Sequence, residues 1–230
     1  MSLKLIVALD FSNQNEALVL VDQLNPNQCA LKIGSEMFTL FGVDWVRCLI
    51  KKGFKIFLDL KFHDIPNTVA HACCACAELG VWMINVHALG GLAMMEAAKK
   101  ALEPYGNNRP LLIAVTVLTS MTEDAFPAIG LNSSMENQVR KLAMLAHKAG
   151  LDGVVCSALE APLIKKACGQ SFLTVTPGIR LSGDAKDDQA RVVTPERAAQ
   201  LGSDFLVIGR SITRAKEPGK VIQEFLHRSV

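Results

Sequence analysis

Eight short runs rich in Val, Ile, Leu and Ala recur along the chain, at residues 5–9, 30–33, 56–60, 83–86, 111–118, 153–156, 172–176 and 205–208. Most are continuously apolar rather than alternating, the pattern of parallel strands buried on both faces. Helix-length amphipathic stretches fill the intervals. Ser12 is placed to cap the first helix and Asn67 the third, and Thr194 followed by Pro195 reads as a cap with proline at the first helical position. Gly53, Gly150 and Gly202 stand where helices should stop. Eight strand–helix units in 230 residues give just under 29 residues per unit, the economy of a minimal α/β fold of the (β/α)8 TIM barrel type. A doubly wound open sheet has the same periodicity. It would want a Gly-rich turn after the first strand, and Asp10-Phe11-Ser12-Asn13 is not one.

Residues 1–230 contain no low-complexity stretch and no linker, and are read as a single barrel domain. Two polar segments, 119–134 after the fifth strand and 181–192 after the seventh, have the length of functional loops. A composition 50% hydrophobic and 20% charged suits one globular core, and the net charge of +2 implies no broad polyanion-binding surface. Neither a nucleic-acid nor a membrane partner is expected, and anion recognition must be local. The longest apolar run, 110–118, is too short to span a bilayer. The N-terminal apolar stretch ends at Asp10, too short for a signal peptide. Seven cysteines without framework spacing read as reduced thiols in a cytoplasmic protein.

Catalytic groups of a barrel stand at the C-terminal ends of its strands. Those ends read, in order, Asp10, Lys32, Asp59 with Lys61, His87, Thr119 with Ser120, Ser157, Arg180, and Gly209 with Arg210. Buried parallel strands have no structural need for ionised residues, so charges of alternating sign on the early strands point to chemistry. Asp59 and Lys61 are two apart and should share a face. Asp64 follows at the strand exit, before Pro66. At ~4 Å and an effective dielectric near 20, each Lys–Asp attraction is roughly 4 kcal/mol before desolvation. A lysine held between carboxylates is a poor base and a good proton donor. With Lys32 the row becomes a Lys–Asp–Lys–Asp array. It suits expulsion of a negatively charged group and protonation of the carbanion left behind.

Phosphate recognition is expected after strands seven and eight, where barrels commonly place it. Thr176-Pro177-Gly178-Ile179-Arg180 offers a glycine and an arginine, and Ile208-Gly209-Arg210-Ser211 repeats the pairing. The polar loop 181–192 lies beside these residues and could close over them, Gln189 being the member best able to reach a phosphate. Cys73, Cys74 and Cys76 fall in one helix without a matching second ligand pair, so they read as packing rather than a metal site. His63 reads as a local hydrogen-bonding group. His87 is placed for either structural support or substrate contact.

Taken together, Val7-Ala8-Leu9-Asp10, Leu31-Lys32-Ile33-Gly34, the ten-residue block 59–68, Thr176–Arg180 and Val207–Ser211 resemble the orotidine 5′-phosphate decarboxylase family from the first strand to the last. No functional position of the family pattern departs in this chain. The resemblance implies a carboxy-lyase of UMP biosynthesis that converts orotidine 5′-monophosphate to UMP without metal or cofactor. By the same resemblance Lys61 donates the proton, while Lys32, Asp59 and Asp64 complete the network. Asp10 meets ribose hydroxyls and Thr119 the pyrimidine edge, and Arg180, Gln189, Gly209 and Arg210 hold the phosphate. The family is a homodimer in which the residues matching Asp64, Ile65 and Thr68 cross the interface. Two alternatives stay open at this point. One is a magnesium-dependent sugar-phosphate decarboxylase or aldolase sharing the Asp-x-Lys-x-x-Asp spacing, which Lys32 disfavours. The other is a non-catalytic nucleotide-binding barrel.

Overall fold

The computed structural model describes residues 4–180 and 193–228. Among them, strands β1 (Lys4–Leu9), β2 (Ala30–Gly34), β3 (Ile56–Phe62), β4 (Met83–His87), β5 (Leu111–Val115), β6 (Gly153–Val155), β7 (Leu173–Thr176) and β8 (Phe205–Ile208) form a closed barrel in sequence order. All pairings are parallel, and β8 closes on β1 through Lys4↔Phe205 to Val7↔Ile208. The open sheet is thereby excluded. Helices α1 (Gln14–Val21), α2 (Ser35–Lys51), α3 (Pro66–Leu79), α4 (Gly91–Leu102), α5 (Met135–Lys148), α6 (Ala161–Cys168) and α7 (Pro195–Gln200) alternate with the strands. The last unit carries two helices, α8 (Arg210–Thr213) and α9 (Pro218–Arg228), rather than one.

Local signals shift by small steps. Asn13, not Ser12, caps α1, its Oδ1 accepting from the N–H groups of Asn15 at 2.8 Å and Glu16 at 3.3 Å. Asn67 is not a cap, because α3 already begins at Pro66, after an Ile65 cap position without a side-chain bond. Thr194 does cap α7, accepting from Arg197 N–H with Pro195 behind it. Gly53, Gly150 and Gly202 follow α2, α5 and α7 at φ of +91°, +75° and +85°, where a side chain would be strained. The fifth strand stops at Val115 rather than running to Leu118. The Thr116 N–H and hydroxyl both donate to the Val155 carbonyl, the last contacts of this edge with β6 before the chain leaves the barrel wall.

The apolar residues divide into two layers. Inside the barrel, Ile6, Ala8, Ala30, Phe57, Met83, Ile113, Val175, Phe205 and Val207 pack as one cluster. The alternate positions of the same strands, among them Val7, Leu9, Leu31, Ile33 and Leu58, face the helices and meet Trp45, Met95 and Ile164 in a larger cluster. This double burial is why the strands read as unbroken apolar runs. Each fully buried large side chain contributes about 1.5–3 kcal/mol.

The N-terminal end of the barrel is tied by ion pairs that also accept strand N–H groups. Asp152, just before β6, accepts from Leu112 N–H at 2.8 Å and takes a two-pronged Arg109 contact at 2.6 and 2.7 Å. Asp204, before β8, accepts from Thr174 N–H at 2.7 Å and from Lys165 Nζ at 2.6 Å. Burial works to raise the Asp152 carboxyl, but the Arg109 and Leu112 hydrogen bonds and the charges of Arg109 and Lys99 hold it below the usual carboxylate range. A carboxyl depressed in the folded state contributes stability above its unfolded pKa, near 3.9, and loses it as pH falls through the lower folded value. Asp152→Ala is expected to cost about 3 kcal/mol at pH 7, or roughly 6–12 °C in Tm. The difference from the parent should shrink below about pH 4, as thermal melts across pH will read.

Candidate active site

The inward-facing rows of the barrel begin apolar and end polar. Two residues above Ala8, Ala30, Phe57 and Met83 stand Asp10, Lys32, Asp59 and Asn85. Strand alternation alone thus delivers four polar groups to the layer over the core. Above them opens a cavity of about 650 Å³ lined by Asp10, Lys32, Asp59, Lys61, Thr119, Arg180, Gly209 and Arg210 among others. It lies at the C-terminal mouth.

Lys32 Nζ sits 3.3 Å from Asp10 Oδ1 and 3.4 Å from Asp59 Oδ2. Lys61 Nζ sits 2.9 Å from Asp59 Oδ1, which also accepts from Asn85 Nδ2 at 2.6 Å. Both oxygens of the buried Asp59 are therefore engaged. Its burial would raise the carboxyl, but the charges of Lys32 and Lys61 and the hydrogen bonds from Lys61 and Asn85 outweigh it, and the pKa is lowered. Burial alone would lower Lys32, yet Asp59 and Asp10 more than compensate and raise it. Lys32 and Asp59 accordingly stay ionised at neutral pH.

The route by which Lys61 reaches Asp59 differs from simple strand alternation. Between β3 and β4 the register runs Phe57↔Met83, Leu58↔Ile84 and then Phe62↔Val86, so Asp59, Leu60 and Lys61 together oppose Asn85. Lys61 has φ of +52°, the only positive φ outside glycine among the described residues. That conformation costs on the order of 1–2 kcal/mol for an L-residue. The Asn85 Oδ1 accepts from Lys61 N–H at 2.8 Å, spanning the bulge.

Part of the cavity wall is built from the loops after β7 and β8. Gly178, at φ of +79°, lets the backbone turn so that Pro177, Gly178 and Arg180 all line the wall. Arg180 N–H donates to Val193 carbonyl and Val193 N–H to Gly178 carbonyl, so residues 180 and 193 are pinned side by side. Arg180 is 8% exposed, with Nη1 on the Ile179 carbonyl at 3.1 Å. A cavity whose wall combines ammonium and carboxylate groups with the arginines Arg180, Arg210 and Arg214 fits a small anionic molecule.

Not every residue expected from the sequence gathers here. Gln189 and the rest of 181–192 lie outside the described residues. Asp64, Ile65 and Thr68 are exposed and absent from the cavity wall, and Asp64 Oδ1 accepts from Ile65 N–H at 2.6 Å. Ser157 caps the turn Ala158–Glu160 in a reciprocal pairing with Glu160 and does not face the cavity. His87 Nδ1 accepts from Leu89 N–H at 3.3 Å, and its ring stacks on His63 with centroids 5.4 Å apart. Burial, then the neighbouring His63 and Lys61, hold His87 below its ordinary pKa. It is absent from the wall of the 650 Å³ cavity. The cysteines are free, and burial pushes Cys73 and Cys76 up to about 12, leaving unreactive packing thiols. Among the described residues no group of three or more His, Cys, Asp or Glu is arranged to hold a metal, and no helix is long and apolar enough to cross a membrane.

Sequence reading missed Asn85, a fully buried polar side chain inside an apolar strand. The signal was present, because a buried amide in a parallel strand must find partners. Arg214, Thr213 and Ser12 on the cavity wall were also missed.

A closed parallel barrel with ionised groups collected at its C-terminal mouth is the layout of a (β/α)8 enzyme. Residues 3–225 match the family described as Orotidine 5′-phosphate decarboxylase / HUMPS family, and the chain belongs to that family. The chain is 61% identical over 226 residues to an orotidine 5′-phosphate decarboxylase of Legionella pneumophila (strain Paris), covering 98% of this chain and 99% of the relative. It is 60% identical over 214 residues to one from Shewanella sediminis, covering 93% and 92%. The crystal structure of orotidine 5′-phosphate decarboxylase from Lactobacillus acidophilus superimposes with a TM-score of 0.87 at 39% identity, over 98% of each chain.

Proposed function

We propose that this chain decarboxylates orotidine 5′-monophosphate to UMP and CO2, the last step of UMP biosynthesis, as a metal-free carboxy-lyase in which residues 1–230 serve as one catalytic domain. The observation that carries the reading is the Lys32–Asp59–Lys61 row, with contacts of 2.9–3.4 Å, on the wall of the same cavity as Arg180 and Arg210. The substrate has matching anions, a pyrimidine C6 carboxylate at one end and a phosphate at the other.

In this mechanism Arg180, Arg210, the backbone at Gly209 and the loop residue Gln189 hold the phosphate. Asp10 takes ribose hydroxyls and Thr119 the pyrimidine edge. The C6 carboxylate then lies beside Asp59. The C6–carboxylate bond breaks, CO2 leaves, and the electron pair stays on C6. Lys61 Nζ supplies the proton to that carbon, giving UMP and a neutral amine that is reprotonated from solvent. Lys32 keeps Asp59 ionised, and Lys61 meets the negative charge as it develops. Ground-state repulsion between Asp59 and the carboxylate adds to this, as the smaller part.

The reading includes a homodimer in which Asp64, Ile65 and Thr68 complete the neighbouring subunit's site. Its support is that Ile65 is 66% exposed and that these three residues do not line their own chain's cavity. The homologous names favour a nucleotide over the sugar phosphates of related barrels, and the donor set agrees. The ammonium groups of Lys32 and Lys61 flank Asp59 on both oxygens, leaving no face for a divalent cation. Protein dialysed against EDTA and assayed with orotidine 5′-monophosphate is expected to form UMP at the undialysed rate, with no gain from Mg²⁺. Loss of activity on chelation, restored by Mg²⁺, would sink the metal-free mechanism. An inactive wild-type protein would sink the assignment itself.

A further inference from the structure

We propose that Asn85 is a positioning residue for the reaction, its side-chain amide holding Lys61 in the left-handed backbone conformation and fixing the Asp59 carboxylate against the Lys61 ammonium. This inference rests on the decarboxylase reading and deepens it.

The geometry is specific. Asn85 stands alone on β4 opposite three residues of β3, the point at which the ladder between the strands is interrupted. Its amide has one acceptor and two donors. The acceptor Oδ1 takes the Lys61 N–H at 2.8 Å, a backbone donor that the bulge removes from the ladder. The donor Nδ2 reaches Asp59 Oδ1 at 2.6 Å, the same oxygen that Lys61 Nζ approaches at 2.9 Å. One side chain thus sets both the backbone origin of Lys61 and the oxygen toward which its amine points. Asn85 is 0% exposed, and it is absent from the cavity wall. It acts through its neighbours.

The required chemistry is narrow. Aspartate in the same place would accept from Lys61 N–H but set a second carboxylate against Asp59. Leucine would satisfy neither group. An amide alone, among groups of that size, both accepts and donates without charge. Lys61 meanwhile occupies a backbone region that L-residues avoid, which persists only where the surroundings over-determine it.

The test is kinetic and crystallographic. Asn85→Ala, folded by circular dichroism, is expected to lose roughly 100-fold in kcat, the scale of an ångström-level misplacement of a reacting group, with KM within about threefold. Asn85→Asp keeps the shape and should show a displaced pH profile. Its activity should recover toward acid pH, as the new carboxyl takes up a proton and can again donate to Asp59. In crystals of either variant, Lys61 is expected to leave positive φ or its Nζ to leave Asp59. Full kcat in folded Asn85→Ala, or a profile for Asn85→Asp parallel to wild type, would overturn the proposal. So would an unmoved Lys61 in both variants, even if the wild type proved inactive on orotidine 5′-monophosphate. Wild-type inactivity counts against the assigned reaction, and the position of Lys61 in the variants decides the role of Asn85.

Discussion

Lys61→Ala is expected to lower kcat for orotidine 5′-monophosphate by about 10⁴-fold or more while leaving UMP affinity within about tenfold. The two halves of this outcome have separate causes. Lys61 in the proposed mechanism supplies both the proton and the positive charge nearest to C6. A positioned general acid is worth about 10²–10⁴-fold and a preorganised charge in a water-poor site about 10²–10³-fold more. Neither contribution exists before carbon–carbon cleavage begins, so binding of the product nucleotide should change little. Pre-steady-state turnover with UMP binding by calorimetry will read the two quantities separately. A folded Lys61→Ala protein that turned over within tenfold of wild type would remove Lys61 as the acid and leave a nucleotide-binding barrel. Arginine is a poor substitute in the control series, since its planar, permanently charged guanidinium cannot hand over a proton near neutral pH.

The fold and much of the cavity were legible in the residues, for reasons that differ. Apolar runs buried on both faces, separated by helix-length intervals, pointed to a parallel barrel, and Asp10, Lys32, Asp59, Lys61, Thr119, Arg180, Gly209 and Arg210 all line one cavity at the expected mouth. The same double burial hid the inward and outward rows, because Ile6 and Val7 look alike in sequence though one fills the barrel and the other meets the helices. Ser12 and Asn13 are adjacent cap formers of similar strength, so only backbone geometry chooses Asn13. The bulge at Lys61 was not legible. No glycine or proline marks it, and the positive φ is imposed from β4 by Asn85, a residue distant in sequence. A two-residue spacing correctly paired Asp59 with Lys61, but the contact is made across an interrupted register rather than along a regular strand. Asp64, Ile65 and Thr68 stand outside the cavity of their own chain, a separation that their closeness in sequence to Asp59 and Lys61 does not reveal.

The second large effect concerns the arginines of the cavity wall. The double variant Arg180→Ala/Arg210→Ala is expected to reduce kcat/KM for orotidine 5′-monophosphate by about 10³–10⁴-fold. A hydrogen bond to a charged group contributes about 1.5–3 kcal/mol, or roughly tenfold to 150-fold each. The loss should not fall on KM alone. If contacts to the non-reacting phosphate are used to bring C6 against Lys61 and Asp59, then removing them lowers kcat as well. The comparison that isolates this is the phosphate-free nucleoside orotidine, which gives the arginines nothing to grip. The wild-type preference for the phosphorylated substrate should shrink by the same 10³–10⁴-fold in the double variant, while turnover of orotidine itself stays within about threefold. Equal losses on both substrates would mean that Arg180 and Arg210 maintain the cavity rather than bind phosphate. Arg180 is the more informative single change, because its buried position on the pinned 178–180 and 193 backbone commits it to the wall whether or not a ligand is bound. Charge chemistry and anion capture are then separable by mutation, which a barrel that merely stores nucleotides would not require.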